Sequence, residues 1–135
     1  MPLRRILDAH ALVAFLEKEP GYEVIKTMFV AAVEKEEPLL MTTVNFGEVY
    51  YLVLRECGPA KVHEIERTVE TLPIDIIDVD LSLAKEAARL KARKKMSYAD
   101  CFTAALAKSR QGEIVTGDRE FAELEKELKI VWIPK

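Results

Sequence analysis

The sequence predicts an α/β fold with a central, mostly parallel five-stranded sheet and helices on both faces, three layers in all. Two observations predict it directly. Five short apolar runs, several of them β-branched, are each too short for a buried helix. Longer amphipathic stretches separate them, and strands that alternate with helices wind in parallel. A third observation bounds the fold: no long linker, low-complexity segment or internal repeat breaks the pattern, so residues 1–135 read as one domain. Half of the chain is hydrophobic, enough to bury a sizeable core.

The first run, Leu3 to Leu7, ends at Asp8, which is placed to cap a helix beginning at Ala9. After a Pro20-Gly21 turn, Ile25, Met28, Phe29, Ala32 and Val33 recur at the spacing of one helix face. Leu39 to Met41 is the second run. The helix after it carries Asn45, Glu48 and an apolar stretch, Val49 to Leu54, that is expected to be well buried. Gly58-Pro59 makes the next turn, and Val62, Ile65 and Val69 mark a further helix. The third run is Ile74 to Ile77. Asp75, Asp78 and Asp80 around it read as strand-end and helix-capping acids, outside any site.

Leu83, Ala84, Ala87, Ala88 and Leu90 trace another helix face. Ser97-Tyr98-Ala99-Asp100 then opens a helix whose Cys101 to Ala107 is apolar nearly all round. Gly112 stands where that helix would need a left-handed cap. Glu113 to Val115 and Ile130 to Ile133 complete the sheet, with Trp132 read as core.

With 23 acidic against 20 basic residues the net charge is −3, which excludes a uniformly basic nucleic-acid binder. Contact with a phosphate backbone would need a local patch or bound cations. Cys57 and Cys101 form no CxxC pair and read as small buried hydrophobes; Cys57 and His63 alone do not make a metal site. Asp8 and His10 interrupt the N-terminal apolar stretch, and no apolar run reaches membrane-spanning length, so a cytoplasmic protein is expected.

Ligands of such sheets bind outside the carboxyl ends of the strands, and four acids can gather there. Asp8 and Asp118 follow strands, while Glu48 and Asp100 lie in the first turns of helices. Each has an ordinary structural reading. Asp8 and Asp118 can cap helices, and Asn45 with Glu48, like Ser97 with Asp100, has capping-box spacing. Independent caps, however, need not share one end of a sheet. Acids leading into buried helices are costly unless paired or bound to a cation, and crowded carboxylates hold one another's protons. Mg²⁺ or Mn²⁺, which prefer oxygen ligands, would resolve both conflicts and support phosphodiester hydrolysis.

Ile6-Leu7-Asp8, Thr42-Thr43-Val44-Asn45-Phe46-Gly47-Glu48, Leu83 to Leu90, Ser97-Tyr98-Ala99-Asp100 and Thr116-Gly117-Asp118-Arg119-Glu120-Phe121, in this order and spacing, resemble a PIN-domain ribonuclease. Within that family the resemblance is to the VapC-type toxins of bacterial and archaeal toxin–antitoxin pairs. It implies a PIN-like fold in which Asp8, Glu48, Asp100 and Asp118 are the catalytic, metal-binding acids. Asn45, Ser97 and Thr116 would support them. The implied activity is Mg²⁺- or Mn²⁺-dependent endoribonucleolytic hydrolysis of RNA, leaving a 5′-phosphate and a 3′-hydroxyl. The implied partners are an antitoxin covering the acidic cleft and a second copy of the chain, with Tyr50, Tyr51 and Leu54 as candidates for the dimer face.

Lys94 and Lys95, within the basic run from Lys91, are either a phosphate-binding rim or a solvated helix end. Arg119 either touches RNA or pairs with a neighbouring acid. His10 departs from the family, which often has a small hydroxyl residue at that position; it either contacts substrate phosphate or, the reading preferred, is a helix-surface histidine. The alternative is a non-catalytic PIN-like RNA-binding or assembly module, whose sign would be a missing acid. A receiver domain would carry an acidic pair after the first strand, and a haloacid-dehalogenase-type phosphatase an Asp-x-Asp; this chain has Asp8-Ala9-His10.

Overall fold

The structure is a computed structural model that describes residues 3–134. Five strands form one sheet: β1 (Arg5–Leu7), β2 (Leu39–Thr42), β3 (Ile74–Ile77), β4 (Glu113–Thr116) and β5 (Lys129–Trp132). Their order is β3-β2-β1-β4-β5, and every pairing is parallel. The all-parallel outcome follows from the connections, each of which crosses back through helix. The order reverses at β1, where the chain winds outward through β2 and β3 and then returns to β4.

Six α-helices flank the sheet: α1 (Ala9–Leu16), α2 (Tyr22–Lys35), α3 (Thr43–Cys57), α4 (Pro59–Glu70), α5 (Leu81–Arg93) and α6 (Tyr98–Arg110). A 3₁₀ helix (Arg119–Leu124) joins β4 to β5. Successive strand residues face opposite layers. Leu7, Leu39, Met41 and Val115 pack with α1 to α4, whereas Ile6, Leu40 and Ile114 pack with α5, α6 and the 3₁₀ helix.

The helix starts are written in the sequence. Asp8 and Asp80 accept the amides of Ala11 and Leu83, each at 2.8 Å. Pro59 opens α4 after Gly58, whose φ of 88° suits glycine. The end of α6 differs from expectation. Gln111 itself takes the left-handed cap, with φ 52°. Gly112 is required for another reason: a Cβ there would come within 2.7 Å of the Arg4 carbonyl oxygen, next to the Glu113 amide that bonds it.

Several burial expectations change as well. On α2, Val33 is 64% exposed while Ile25, Met28, Phe29 and Ala32 are buried. On α5 the buried residues are Leu83, Ala87 and Leu90, and Ala88 is exposed. Only Val49 and Val53 of the α3 stretch are buried; Tyr50, Tyr51 and Leu54 face outward, because one side of a helix at the molecule's margin has no layer to meet. Cys57 is exposed near the end of the same helix, whereas Cys101 is buried. Trp132 is only half-buried, its ring covered by the Arg119 guanidinium at 4.8 Å. Among the described residues no helix is long and apolar enough to cross a membrane.

Candidate active site

All four acids singled out in the sequence line one cavity of about 210 Å³ at the carboxyl end of the sheet, together with Ala9, His10, Val13 and Leu52. β1 delivers Asp8, β4 delivers Asp118, and the first turns of α3 and α6 deliver Glu48 and Asp100. The cavity lies beside the β1–β4 pair, where the strand order reverses.

Asp8 is fully inside the protein, and both of its oxygens are held. Oδ1 accepts the Ala11 amide and Oδ2 accepts the Thr116 hydroxyl. The Thr116 oxygen in turn accepts the Asp118 amide at 2.9 Å, so one hydroxyl ties the two strand-end acids together. Burial pushes the Asp8 carboxyl up to about 7 against the pull of these hydrogen bonds, with Asp118 and Glu48 adding to the rise.

The start of α3 is capped by Thr42, not by an Asn45–Glu48 box. The Asn45 amide donates to Thr42 Oγ1 at 3.0 Å, and the Thr42 hydroxyl donates to Asn45 Oδ1. Asn45 also reaches across to the Ala99 carbonyl oxygen at 2.9 Å, which fixes α3 against the residue preceding Asp100. Glu48 is therefore free of capping duty. Its Oε1 is buried without a hydrogen-bond partner among the described residues, and burial, with Asp118 and Glu120 nearby, raises its carboxyl.

Ser97 caps α6 through the Asp100 amide at 3.2 Å, as its spacing suggests. The reciprocal half of a capping box is missing, because the Ser97 amide donates to Glu120 at 2.8 Å instead of to Asp100. The Asp100 carboxylate is thus released into the cavity. It is 5% exposed and receives no donor among the described residues. Burial, then the crowding of Glu120, Asp118 and Asp8, holds its proton well above the usual carboxylate range.

Glu120 is absent from the four acids singled out in the sequence. One carboxylate oxygen from each of Asp100, Asp118 and Glu120 lies within 4.8 Å of the others. Its sequence signal was an acid two residues past Asp118, where Asp118 Oδ1 accepts the Glu120 amide and the 3₁₀ turn folds both acids back together.

The basic residues are largely occupied. Lys91 donates to the Met96 carbonyl oxygen; Arg93 and Lys94 grip Glu127 at 2.9 and 2.6 Å, drawing its carboxyl down to about 2. Lys95 gives its backbone amide to Glu123. Among the described residues Arg119 pairs with no acid, and it lies over Trp132. These contacts fasten the α5–α6 connection to the 3₁₀ helix and its following turn. His10 does not sit on an open helix surface. Its ring lines the acidic cavity and packs under Gly117, where a Cβ would come within 2.4 Å of His10 Cε1.

The donor set fits a hard divalent cation: the four acids that line the cavity offer only oxygen, and Asp100, 5% exposed, has the acids Asp118 and Glu120 for neighbours. Buried carboxylates arranged this way need either protons or a cation.

The PIN-domain family model matches residues 5–127. The ribonuclease VapC30 of Mycobacterium tuberculosis is 31% identical over 111 residues, which span 76% of this chain and 81% of that protein. A VapC ribonuclease of Mycobacterium bovis matches to the same extent. Among solved structures, a DNA-bound VapBC from Salmonella typhimurium aligns over 96% of this chain and 97% of its own, with a TM-score of 0.78 and 18% identity. VapC20 of M. tuberculosis, described as a sarcin-ricin loop cleaving toxin, aligns over 82% of this chain and 86% of its own, with a TM-score of 0.61 and 13% identity.

Proposed function

The chain belongs to the PIN-domain family, and from that premise we propose that it is a metal-dependent endoribonuclease acting as the toxin of a VapBC-type toxin–antitoxin pair. The observation that carries this reading is Asp100: a carboxylate 5% exposed, with no donor among the described residues and acids for neighbours. Such a group is costly to a fold and useful to a site that binds cations.

In this reading residues 1–135 form a single nuclease domain working in the cytoplasm. Asp8, Glu48, Asp100 and Asp118 would hold one or two Mg²⁺ or Mn²⁺ ions. When bound, the metal supplies Lewis acidity for in-line attack of water on phosphorus. The chain's own part is positional. Thr116 orients Asp8 and spaces it from Asp118. Asn45 locks α3 to the α6 entry, the two helices that bring Glu48 and Asp100 to one cavity. Ser97 caps α6 and leaves the Asp100 carboxylate free.

Lys94, Lys95 and Arg119 stand as RNA contacts on the rim, with Lys94 shared with Glu127. The substrate class is single-stranded or looped RNA, whose backbone can enter an open acidic cleft. An antitoxin segment would cover that cleft. The outward face of α3 at Tyr50, Tyr51 and Leu54 would join two copies of the chain.

The test is cleavage of a mixed RNA panel with Mn²⁺ or Mg²⁺, with EDTA, and by Asp100→Asn. Cutting that needs metal and disappears in the variant is expected. Cutting that persists in EDTA, or equal cutting by the variant, overturns the reading.

A further inference from the structure

We propose that Arg119 and Trp132 form a base-stacking platform beside the acidic cavity, which takes an unpaired nucleobase of the RNA next to the phosphate being cut. The inference rests on the nuclease reading above and adds to it a subsite for a base, outside the cavity. The Arg119 guanidinium lies over the Trp132 indole, 4.8 Å from the ring centroid. Two other cations lie over aromatic rings, Lys26 over Tyr22 at 5.9 Å and Arg55 over Tyr51 at 5.6 Å. Each of those pairs sits at i, i+4 on one helix and follows from helical spacing alone. Arg119 and Trp132 share no element: the 3₁₀ helix after β4 brings the arginine to the end of β5.

The second observation is the state of the two side chains. Arg119 is exposed within an acidic stretch that holds Asp118, Glu120, Glu123 and Glu125, yet among the described residues it pairs with no acid. Arg93 and Lys94 nearby are spent on Glu127. The guanidinium of Arg119 therefore keeps its N–H donors for a ligand. Beneath it the indole is anchored, because Nε1 donates to Glu125 at 3.3 Å and the ring packs against the α5, α6 and 3₁₀ layer. Aromatic rings and guanidinium planes are the surfaces on which unpaired RNA bases stack, and a guanidinium already laid on a fixed ring has little freedom left to lose.

Placement gives the platform its role. Trp132 is the backbone partner of Thr116, whose hydroxyl holds Asp8. Neighbouring strands lie roughly 5 Å apart, and Arg119 directly follows Asp118. An RNA strand with a phosphate over the acids has an adjoining base within reach of Arg119. Stacking demands an unpaired base, so the platform selects single strands over duplex. Purines, with the larger π-face, should stack there better than pyrimidines.

Trp132 is the chain's one tryptophan and serves as the reporter. Acrylamide quenching of its fluorescence, and the anisotropy of labelled oligo-adenylate, oligo-uridylate and the duplex of the two, are measured in EDTA, where the nuclease reading expects no cutting. The proteins compared are the wild type, Arg119→Ala, Arg119→Lys and Arg55→Lys. Single strands should shield Trp132 from acrylamide, oligo-adenylate the most and the duplex the least. Both Arg119 variants should bind oligo-adenylate about tenfold more weakly, and Arg55→Lys should bind it as the wild type does. Wild-type binding by Arg119→Lys overturns the proposal, because a plain phosphate contact needs only the charge. Binding that leaves Trp132 open to acrylamide overturns it too, and so does the absence of any binding. Metal-dependent cutting of the mixed RNA panel decides separately whether the nuclease reading falls with it.

Discussion

At the amino end of the sheet Glu113 is 7% exposed and lies between Arg5, at 3.3 Å, and Lys129, at 3.4 Å. At the carboxyl end Asp100 is buried to a similar depth and faces acids. The first arrangement is built into the strand register: Arg5 pairs with Glu113 across β1 and β4, and Glu113 with Lys129 across β4 and β5. One row of backbone partners therefore carries plus, minus, plus. The chain can neutralise a buried carboxylate with its own side chains and does so where nothing has to bind. The difference teaches that, on the proposed reading, the acidic end is a place where charge balance is left to a ligand.

The largest test of this contrast is Asp100→Asn. RNA cleavage should fall on the order of a thousandfold or more, while the metal-free variant melts at or above the wild-type temperature, because an uncompensated buried acid has been removed. A variant that unfolds would place Asp100 with Glu113, among the structural acids.

Next comes the pH response of the metal-free protein. Asp8 is raised from 3.8 to about 7. Between those values the folded chain keeps a proton that the unfolded chain has released, so stability falls as pH rises through that window. The loss due to Asp8 is on the order of 4 kcal/mol and is complete above about pH 7. Chemical denaturation at pH 5 and pH 8 should show the greater part of it in EDTA, and saturating Mn²⁺ should restore more stability at pH 8. An apoprotein equally stable at both would contradict the burial argument.

Thr116→Val is a smaller perturbation. It cuts the tie between Asp8 and the Asp118 amide while keeping the side-chain volume, and cleavage should drop roughly ten- to a hundredfold. Glu113→Gln gives the smallest expected effect. Its partners Arg5 and Lys129 are 35% and 65% exposed and can turn to water, so the cost is about 1 kcal/mol, read as a shift in denaturant midpoint with cleavage unchanged.

The strands and the four acids were legible because each depends on local pattern: short β-branched runs, and acids directly after strands or within first helical turns. What the sequence concealed is who satisfies whom. Thr42, not Asn45, caps α3, since a threonine ending a strand gives no sign that its hydroxyl will turn to the helix. The Ser97 amide finds Glu120, 23 residues away, a partner that no i, i+3 spacing can announce. His10 gave no hint of its place under Gly117, because that contact joins the α1 start to the end of β4. The outer face of α3 was misjudged for a related reason. Tyr50, Tyr51 and Leu54 are apolar by type, and burial depends on whether another layer arrives to cover them.

The tie between Asp8 and Thr116 spans 108 residues of chain. β1, at the centre of the sheet, gains one of its two neighbours only when β4 arrives. A chain emerging from a ribosome would therefore carry Asp8 and Glu48 well before Thr116, Asp118 and Glu120, with no closed acid cluster until β4 and the turn after it are out. For an enzyme proposed to cut RNA, winding the sheet back to its first strand delays assembly of the blade until β4 has been made.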